Sequence, residues 1–165
     1  EKHGCDLGIE RMARDALEDL RLVVQSLDLG DTDLPLALAG FRERLTPRLR
    51  RSGVKLTWSM ELLPEIQGVT PGNALSVLRI LQEAVTNALK HGPARTIYIE
   101  GATGTAGNAL ISVTSDRSFI MSSGSGNGLS NMQLRAQKLG GYISTTKSED
   151  EYELVLSLPR FLSEN

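Results

Sequence analysis

Glu83, Asn87, Lys90 and His91 are the residues of this chain whose types and spacing could do chemistry. Glu83 and Asn87 stand four apart, so on a helix they lie one above the other, and Lys90 and His91 follow about a turn later. A carboxylate, an amide, an ammonium and an imidazole on one stripe could hold a metal ion and a polyphosphate. The same pattern suits the solvated face of an ordinary amphipathic helix, and spacing alone leaves both readings open. A second group lies downstream, where a glycine-rich stretch containing Gly126 and Gly128 enters a helix. Unpaired backbone N–H groups at a helix start attract anions, and glycines let the backbone come close to a phosphate. The spacing matches neither the triphosphate loop ending in GK[ST] nor the dinucleotide glycine pattern, so this stretch alone fits a ligand loop and a plain linker equally.

The elements that must position these residues can be read from periodicity. Leu75, Leu78, Leu81, Val85, Ala88 and Leu89 recur at the three- and four-residue intervals of a helix with one buried face. Thr70 suits its cap and Pro71 its first turn, while Lys90 and His91 suit the end of the dipole before Gly92 and Pro93 break it. Upstream, Ile9, Ala13, Ala16, Leu20, Val23 and Leu27 form a heptad-like stripe widened by Met12, Leu17 and Val24. So wide an apolar face needs a partner, either the chain's own body or a second chain in a helical bundle.

Asp28 to Asp33 reads as a linker, with Asp33 placed to cap a helix through Leu36, Leu38, Phe41, Leu45 and Leu49 to about Arg51. Pro47 inside that pattern is expected to kink or shorten it. Val54, Leu56, Trp58 and Met60 alternate as one face of a strand, with Trp58 in the core. Arg95 to Glu100 and Ala109 to Thr114 read as a hairpin about the glycine-rich GATGTAGN. Ser115 to Asn127 is poor in apolar anchors and reads as a loop. A helix follows from about Leu129, with Leu129, Met132, Ala136 and Leu139 inward, until Gly140 and Gly141 stop it. Tyr142 to Thr146 and Tyr152 to Leu158 form a second hairpin, and Arg160 to Asn165 is a mostly polar tail. The order implies an α/β fold, a two-layer sandwich of a mixed, mostly antiparallel sheet under three helices.

Composition narrows the function classes. The chain has 165 residues, enough for one substantial core, and its 40% hydrophobic and 23% charged content is that of a globular domain. A net charge of -2 gives no general attraction for nucleic acid, and Arg42, Arg44, Arg48, Arg50 and Arg51 read as a solvated helix face. Cys5 is the single cysteine, which excludes an internal disulfide and a cysteine metal cluster. No apolar run reaches the length of a membrane span, and the start carries no signal-peptide pattern. The first residue is not Met, as expected of a piece of a longer protein.

LRILQEAVTNALKHG (Leu78 to Gly92) resembles the N box of the ATP-binding domain of sensor histidine kinases, and GSGNGLSNMQLRAQKLGG (Gly124 to Gly141) resembles their glycine-rich lid box. The closest variety is the nitrate-sensor and DegS-like class, whose second dimerisation helix LEDLRLVVQSLD (Leu17 to Asp28) resembles. The resemblance implies the Bergerat-type ATP-binding fold over residues 31–160, preceded at 1–30 by a helix of the dimerisation domain and followed by a tail at 161–165. It implies ATP and Mg2+, with Asn87 as the magnesium ligand and Glu83 polarising the attacking group. It places Lys90 and His91 near the phosphates, gives Gly126, Gly128 and Leu129 the lid hinge and phosphate-cradling backbone, and has Asn131 and Arg135 orient the lid helix. The implied partners are a response regulator receiver domain and, through the first helix, a second copy. The implied setting is a cytoplasmic domain, with any membrane anchor of the full-length protein outside this sequence.

Two departures accompany the resemblance. Where the family carries D-x-G-x-G to hold adenine, this chain reads Ser115, Asp116, Arg117, Ser118 and Phe119. Asp116 could replace the missing aspartate only by a one-residue shift, which in a strand turns the side chain to the other face. The phospho-accepting histidine belongs to an upstream helix, and His3 lies too close to the leading helix to serve. The leading expectation is therefore the catalytic domain of a histidine kinase. The alternatives are a degenerate kinase-like module acting in dimerisation or regulation, and an ATPase of the chaperone and topoisomerase kind that uses Glu83 for hydrolysis.

Overall fold

The computed structural model describes residues 13–14, 17, 21, 33–91, 94–116 and 127–162. Ala13, Arg14, Leu17 and Arg21 are helical, and Leu17 is exposed. The rest of the leading stripe, and the residues from Arg117 to Gly126, lie outside the described residues.

Helix α1 spans Leu34–Arg51 and buries Leu34, Ala37, Leu38, Phe41, Leu45 and Leu49. Asp33 occupies its cap position, but its side chain makes no capping bond; only its carbonyl accepts, from the Ala37 N–H at 3.1 Å. Pro47 neither ends nor shortens this helix. Its ring lies on the exposed face, where water can satisfy the carbonyl that loses its N–H partner, and the buried Leu45 and Leu49 on either side hold the helix to the core. Beyond Arg51 the chain turns at Gly53, whose φ of 72° lies in the left-handed region that a residue without Cβ enters freely. Strand β1, Lys55–Ser59, follows.

Helix α2 spans Pro71–His91. Thr70 caps it as expected, its Oγ1 accepting from the Asn73 N–H at 3.1 Å. Ala74, Val77, Leu78, Ile80, Leu81, Ala84, Val85 and Ala88 are all buried, a wider face than the sequence stripe, with Leu75 and Leu89 half-buried at its margins. Each large aliphatic side chain so buried contributes about 1.5–3 kcal/mol. This helix is therefore fixed in place, and so is whatever its other face carries.

Strands β2 (Thr96–Thr103) and β3 (Ala109–Ser115) form the first hairpin, with β2 running into the glycine-rich stretch before turning. Helix α3 is Asn127–Lys138, starting two residues before the expected Leu129. Strands β4 (Tyr142–Lys147) and β5 (Tyr152–Leu158) complete the sheet, whose order is β1-β2-β3-β5-β4. β1 and β2 are parallel, joined by α2, and the other pairings are antiparallel. Ile97, Ile99, Ile111, Val113, Leu154 and Leu156 point from the sheet into the layer of helices. The opposite face carries Tyr98, Glu100, Ser112, Thr114, Glu153 and Ser144, mostly polar and half-buried to exposed among the described residues. Among the described residues the result is the expected two-layer sandwich, with α1, α2 and α3 on one side of the sheet.

The last residues are more than a polar tail. Gln67 pairs with Phe161, its N–H donating to the Arg160 carbonyl at 2.8 Å, and the Leu162 N–H returns a bond to the Gln67 carbonyl at 2.8 Å. Leu162 is buried against the core. A single leucine among polar neighbours has no periodicity to reveal this. At Gly68 a Cβ would collide with the Leu162 carbonyl, so the close passage of the two segments requires glycine there.

Candidate functional site

Because the buried side of α2 is locked into the core, its outer stripe presents Arg79, Glu83, Thr86 and Lys90 at a fixed orientation. Helix α3 packs alongside through Met132, which is buried and points back at the same interface. Between the two helices lies a polar cleft of about 280 Å³, walled by Arg79, Gln82, Glu83, Thr86 and Lys90 from α2 and by Gly128, Asn131, Met132 and Arg135 from α3.

The two helices approach closely at Gly128. A Cβ built there would lie 2.6 Å from Glu83 Oε1 and 3.8 Å from Asn87 Nδ2. The glycine that opens α3 thus sits against the two residues that the sequence singled out from α2. Three of the expected site residues, Glu83, Asn87 and Gly128, are brought together, and Lys90 lines the same cleft one turn past Thr86 and two turns past Glu83. Leu129 is half-buried and packs against the core behind them. His91 ends α2, its side chain outside the described residues, as is the whole of Gly126.

Electrostatically the cleft is unbalanced. Arg79, Lys90 and Arg135 face a single carboxylate, Glu83. The Nε of Arg79 is buried and finds no hydrogen-bond partner among the described residues. A cationic, partly buried cleft with an unsatisfied donor suits an anion. Among the described residues no group of three His, Cys, Asp or Glu could hold a metal ion by itself. A magnesium ion fits this setting only in its usual manner, through one or two protein oxygens with phosphate and water supplying the rest. The space left by the missing Cβ of Gly128, beside the Asn87 amide and the Glu83 carboxylate, is compatible with that.

Ser115 and Asp116 are not in this cleft. Ser115 ends β3, 1% exposed, with Ile97 beside it on β2 and Tyr152 beside it on β5. Asp116 is committed to the backbone: its Oδ1 accepts from the Arg95 N–H at 2.9 Å, and its own N–H donates to the Thr96 carbonyl at 3.2 Å. The carboxylate therefore ties the start of β2 to the end of β3. Arg79, Gln82 and Thr86 belong to the cleft but were not among the residues expected from sequence. Arg79 precedes Glu83 by one turn, and extending the stripe backwards would have found it. A larger groove of about 1140 Å³ lies between α1 and the segment from Met60 to Ile66; Asp33, Arg42, Glu43 and Glu65 line it together with Leu34, Leu38, Trp58 and Leu63, and none of them is among the site residues expected from sequence.

Comparison with known proteins gives a consistent result. The chain is 30% identical over 142 residues to the sensor histidine kinase LnrJ of Bacillus subtilis, a match covering 86% of this chain and 34% of that protein. It is 28% identical over 149 residues to the sensor histidine kinase YxjM of the same organism, covering 90% of this chain and 36% of YxjM. The chain thus spans about a third of the length of these curated relatives. No family model matches it. Among solved structures, the histidine kinase domain of the Erythrobacter litoralis EL346 blue-light activated kinase superposes with a TM-score of 0.66 at 15% identity, covering 86% of this chain and 71% of that one. Full-length ShkA in complex with AMPPNP superposes with a TM-score of 0.65 at 17% identity, covering 99% of this chain and 40% of that one. These likenesses establish the α/β fold of the histidine kinase ATP-binding domains, and the relatives are sensor histidine kinases. They do not single out the nitrate-sensor and DegS-like class.

Proposed function

We propose that this chain, a homologue of sensor histidine kinases with the fold of their catalytic domains, binds ATP between α2 and α3 and supplies the catalytic domain of a protein-histidine kinase. The observation that carries the reading is the seating of Gly128 against Glu83 and Asn87. It joins two sequence boxes, separated by some thirty residues, at the polar cleft they would share.

In this reading a magnesium ion, when bound, would supply charge neutralisation to the phosphates. Asn87 offers its amide oxygen to the ion, and Lys90 and His91 offset phosphate charge beyond it. Gly126 and Gly128 let the backbone of the lid approach the phosphates, and Leu129 anchors the lid helix. Glu83 lies at the transferring end and polarises the incoming imidazole. The histidine nitrogen forms a bond to the γ-phosphorus, the bond to the β-phosphate oxygen breaks, and ADP leaves. Most of the rate enhancement comes from placement and charge. The acceptor histidine is on a dimerisation helix upstream, and an aspartate of a response regulator receiver domain takes the phosphoryl group afterwards. Residues 1–30 then belong to the dimerisation domain and join two copies of the full-length protein, with the catalytic domain on the cytoplasmic side. The relatives, named as kinases, do not favour a purely regulatory kinase-like module.

Calorimetric titration of the 165-residue chain with ATP, with and without magnesium, tests the reading. Saturable binding that depends on magnesium is expected. Absence of any binding at millimolar nucleotide would sink it.

A further inference from the structure

We infer that Arg79 determines the preference of this site for a nucleoside triphosphate over a diphosphate, its guanidinium receiving the terminal phosphate together with Arg135 from the facing helix. The inference rests on the nucleotide-binding reading above and adds a residue to it.

Arg79 lies one turn before Glu83 on the face of α2 that lines the cleft. Its Nε is buried without a hydrogen-bond partner among the described residues. That nitrogen is closed off, so an anion in the cleft meets the terminal nitrogens of the guanidinium, the ends of the side chain that lines it. Helix α3 starts against Glu83 and Asn87 at Gly128 and places Arg135 two turns further along, in the same cleft. Met132 packs on the interface between those two points, so α3 keeps both ends of this arrangement in register.

The positions along α2 divide the labour. Lys90 and Arg79 are eleven residues apart, about 16 Å along a helix axis. One phosphate group cannot satisfy both. Lys90, one turn past Thr86 and near Asn87, suits the inner phosphates that the magnesium ion would bridge. Arg79 lies beyond Glu83, at the end where the γ-phosphate must meet its acceptor. Chemistry agrees with position: a terminal phosphate offers a pair of unbridged oxygens in the plane of the guanidinium fork, a bidentate contact that an ammonium cannot reproduce. A diphosphate ends short of this point and leaves the fork empty.

The test is titration of the full 165-residue chain, in magnesium, with ATP and with ADP in separate experiments, beside Arg79→Met and Arg79→Lys. The wild-type chain should bind ATP more tightly than ADP. Arg79→Met should weaken ATP about tenfold or more while changing ADP by less than about twofold, and Arg79→Lys should restore only part of the difference. Methionine keeps the length and removes a buried polar atom that lacks a partner. The nucleotide-free unfolding temperature of Arg79→Met should therefore equal or exceed that of the wild type, which separates a lost contact from a lost fold. Equal losses for ATP and ADP, or an unchanged ratio, overturn the inference and leave the nucleotide reading standing. A wild-type chain that binds ADP as tightly as ATP does the same. A wild-type chain that binds neither overturns both.

Discussion

Two corners of the molecule treat their polar side chains in opposite ways. At the α2–α3 cleft, Arg79, Glu83, Lys90 and Arg135 line a shared opening, and the buried Nε of Arg79 makes no hydrogen bond among the described residues. At the end of β3, Ser115 is buried between neighbouring strands and the Asp116 carboxylate is spent on the Arg95 N–H. The first corner holds chemistry in reserve for a ligand. The second uses its chemistry to hold the sheet together. If the chain binds a nucleotide as proposed, this contrast predicts recognition on the phosphate side, and each of the following experiments either deepens the contrast or removes it.

The largest effect is expected from Ser115→Asp, which restores the carboxylate that the resemblance leads one to look for. Ser115 is 1% exposed, and a charge placed there should destabilise the nucleotide-free chain by about 3 kcal/mol, read from denaturant unfolding. A stable variant with tighter ATP binding would mean that this corner is open to a base. Next comes Asn87→Ala, expected to weaken magnesium-dependent ATP binding about 30-fold, on the scale of lost support for a metal. Ser115→Ala measured alongside it should change binding by less than about twofold, within the usual small effect of a site remote from ligand. Comparable losses at both positions would erase the distinction between the corners. Gly128→Ala should be milder. Its Cβ would meet the far end of the flexible Glu83 side chain at 2.6 Å, so the carboxylate can swing aside. Stability should change by less than about 1 kcal/mol while ATP affinity falls roughly tenfold, because the displaced carboxylate occupies the phosphate path. A large loss of stability instead would show that Gly128 serves packing.

The same contrast explains what sequence could reveal. The buried face of α2 repeats with the helical period, and Thr70, Pro71, Lys90 and Gly92 punctuate it, so the element and the stripe opposite its core were legible together. The pairing of Glu83 and Asn87 with Gly128 was legible only through the resemblance, since no local pattern tells which helix faces which. That the helix runs on past Pro47 was not legible, because the effect of a proline on helix length depends on which face it occupies, a property of the packed molecule. Arg79 was passed over because an arginine on a helix surface is ordinary until its Nε is found buried. Asp116 has no signature of its role at all, for its partner Arg95 is distant in sequence and the bond is made through the backbone.

That bond sets a smaller effect. Asp116→Ala removes the acceptor for the Arg95 N–H and should lower stability by about 1 kcal/mol, with ATP affinity unchanged. A loss of ATP affinity in a variant that keeps its stability would make Asp116 a ligand residue and move it to the other side of the comparison.

The smallest effect is one of pH. Tyr152 stands beside Ser115 across the β3–β5 ladder, and burial raises its phenol pKa above the ordinary value near 10. Below that ordinary value the phenol is neutral in the folded and the unfolded chain alike, so it adds no pH dependence. Between the ordinary and the raised value the unfolded chain has released a proton that the folded chain still holds, and stability must fall as pH rises. Tyr152→Phe removes this decline. The phenolate absorbance step missing from Tyr152→Phe, relative to the wild type, should therefore lie above the ordinary range. If it lies at the ordinary value, water reaches the end of β5, and the Ser115 corner is as open as the cleft between α2 and α3.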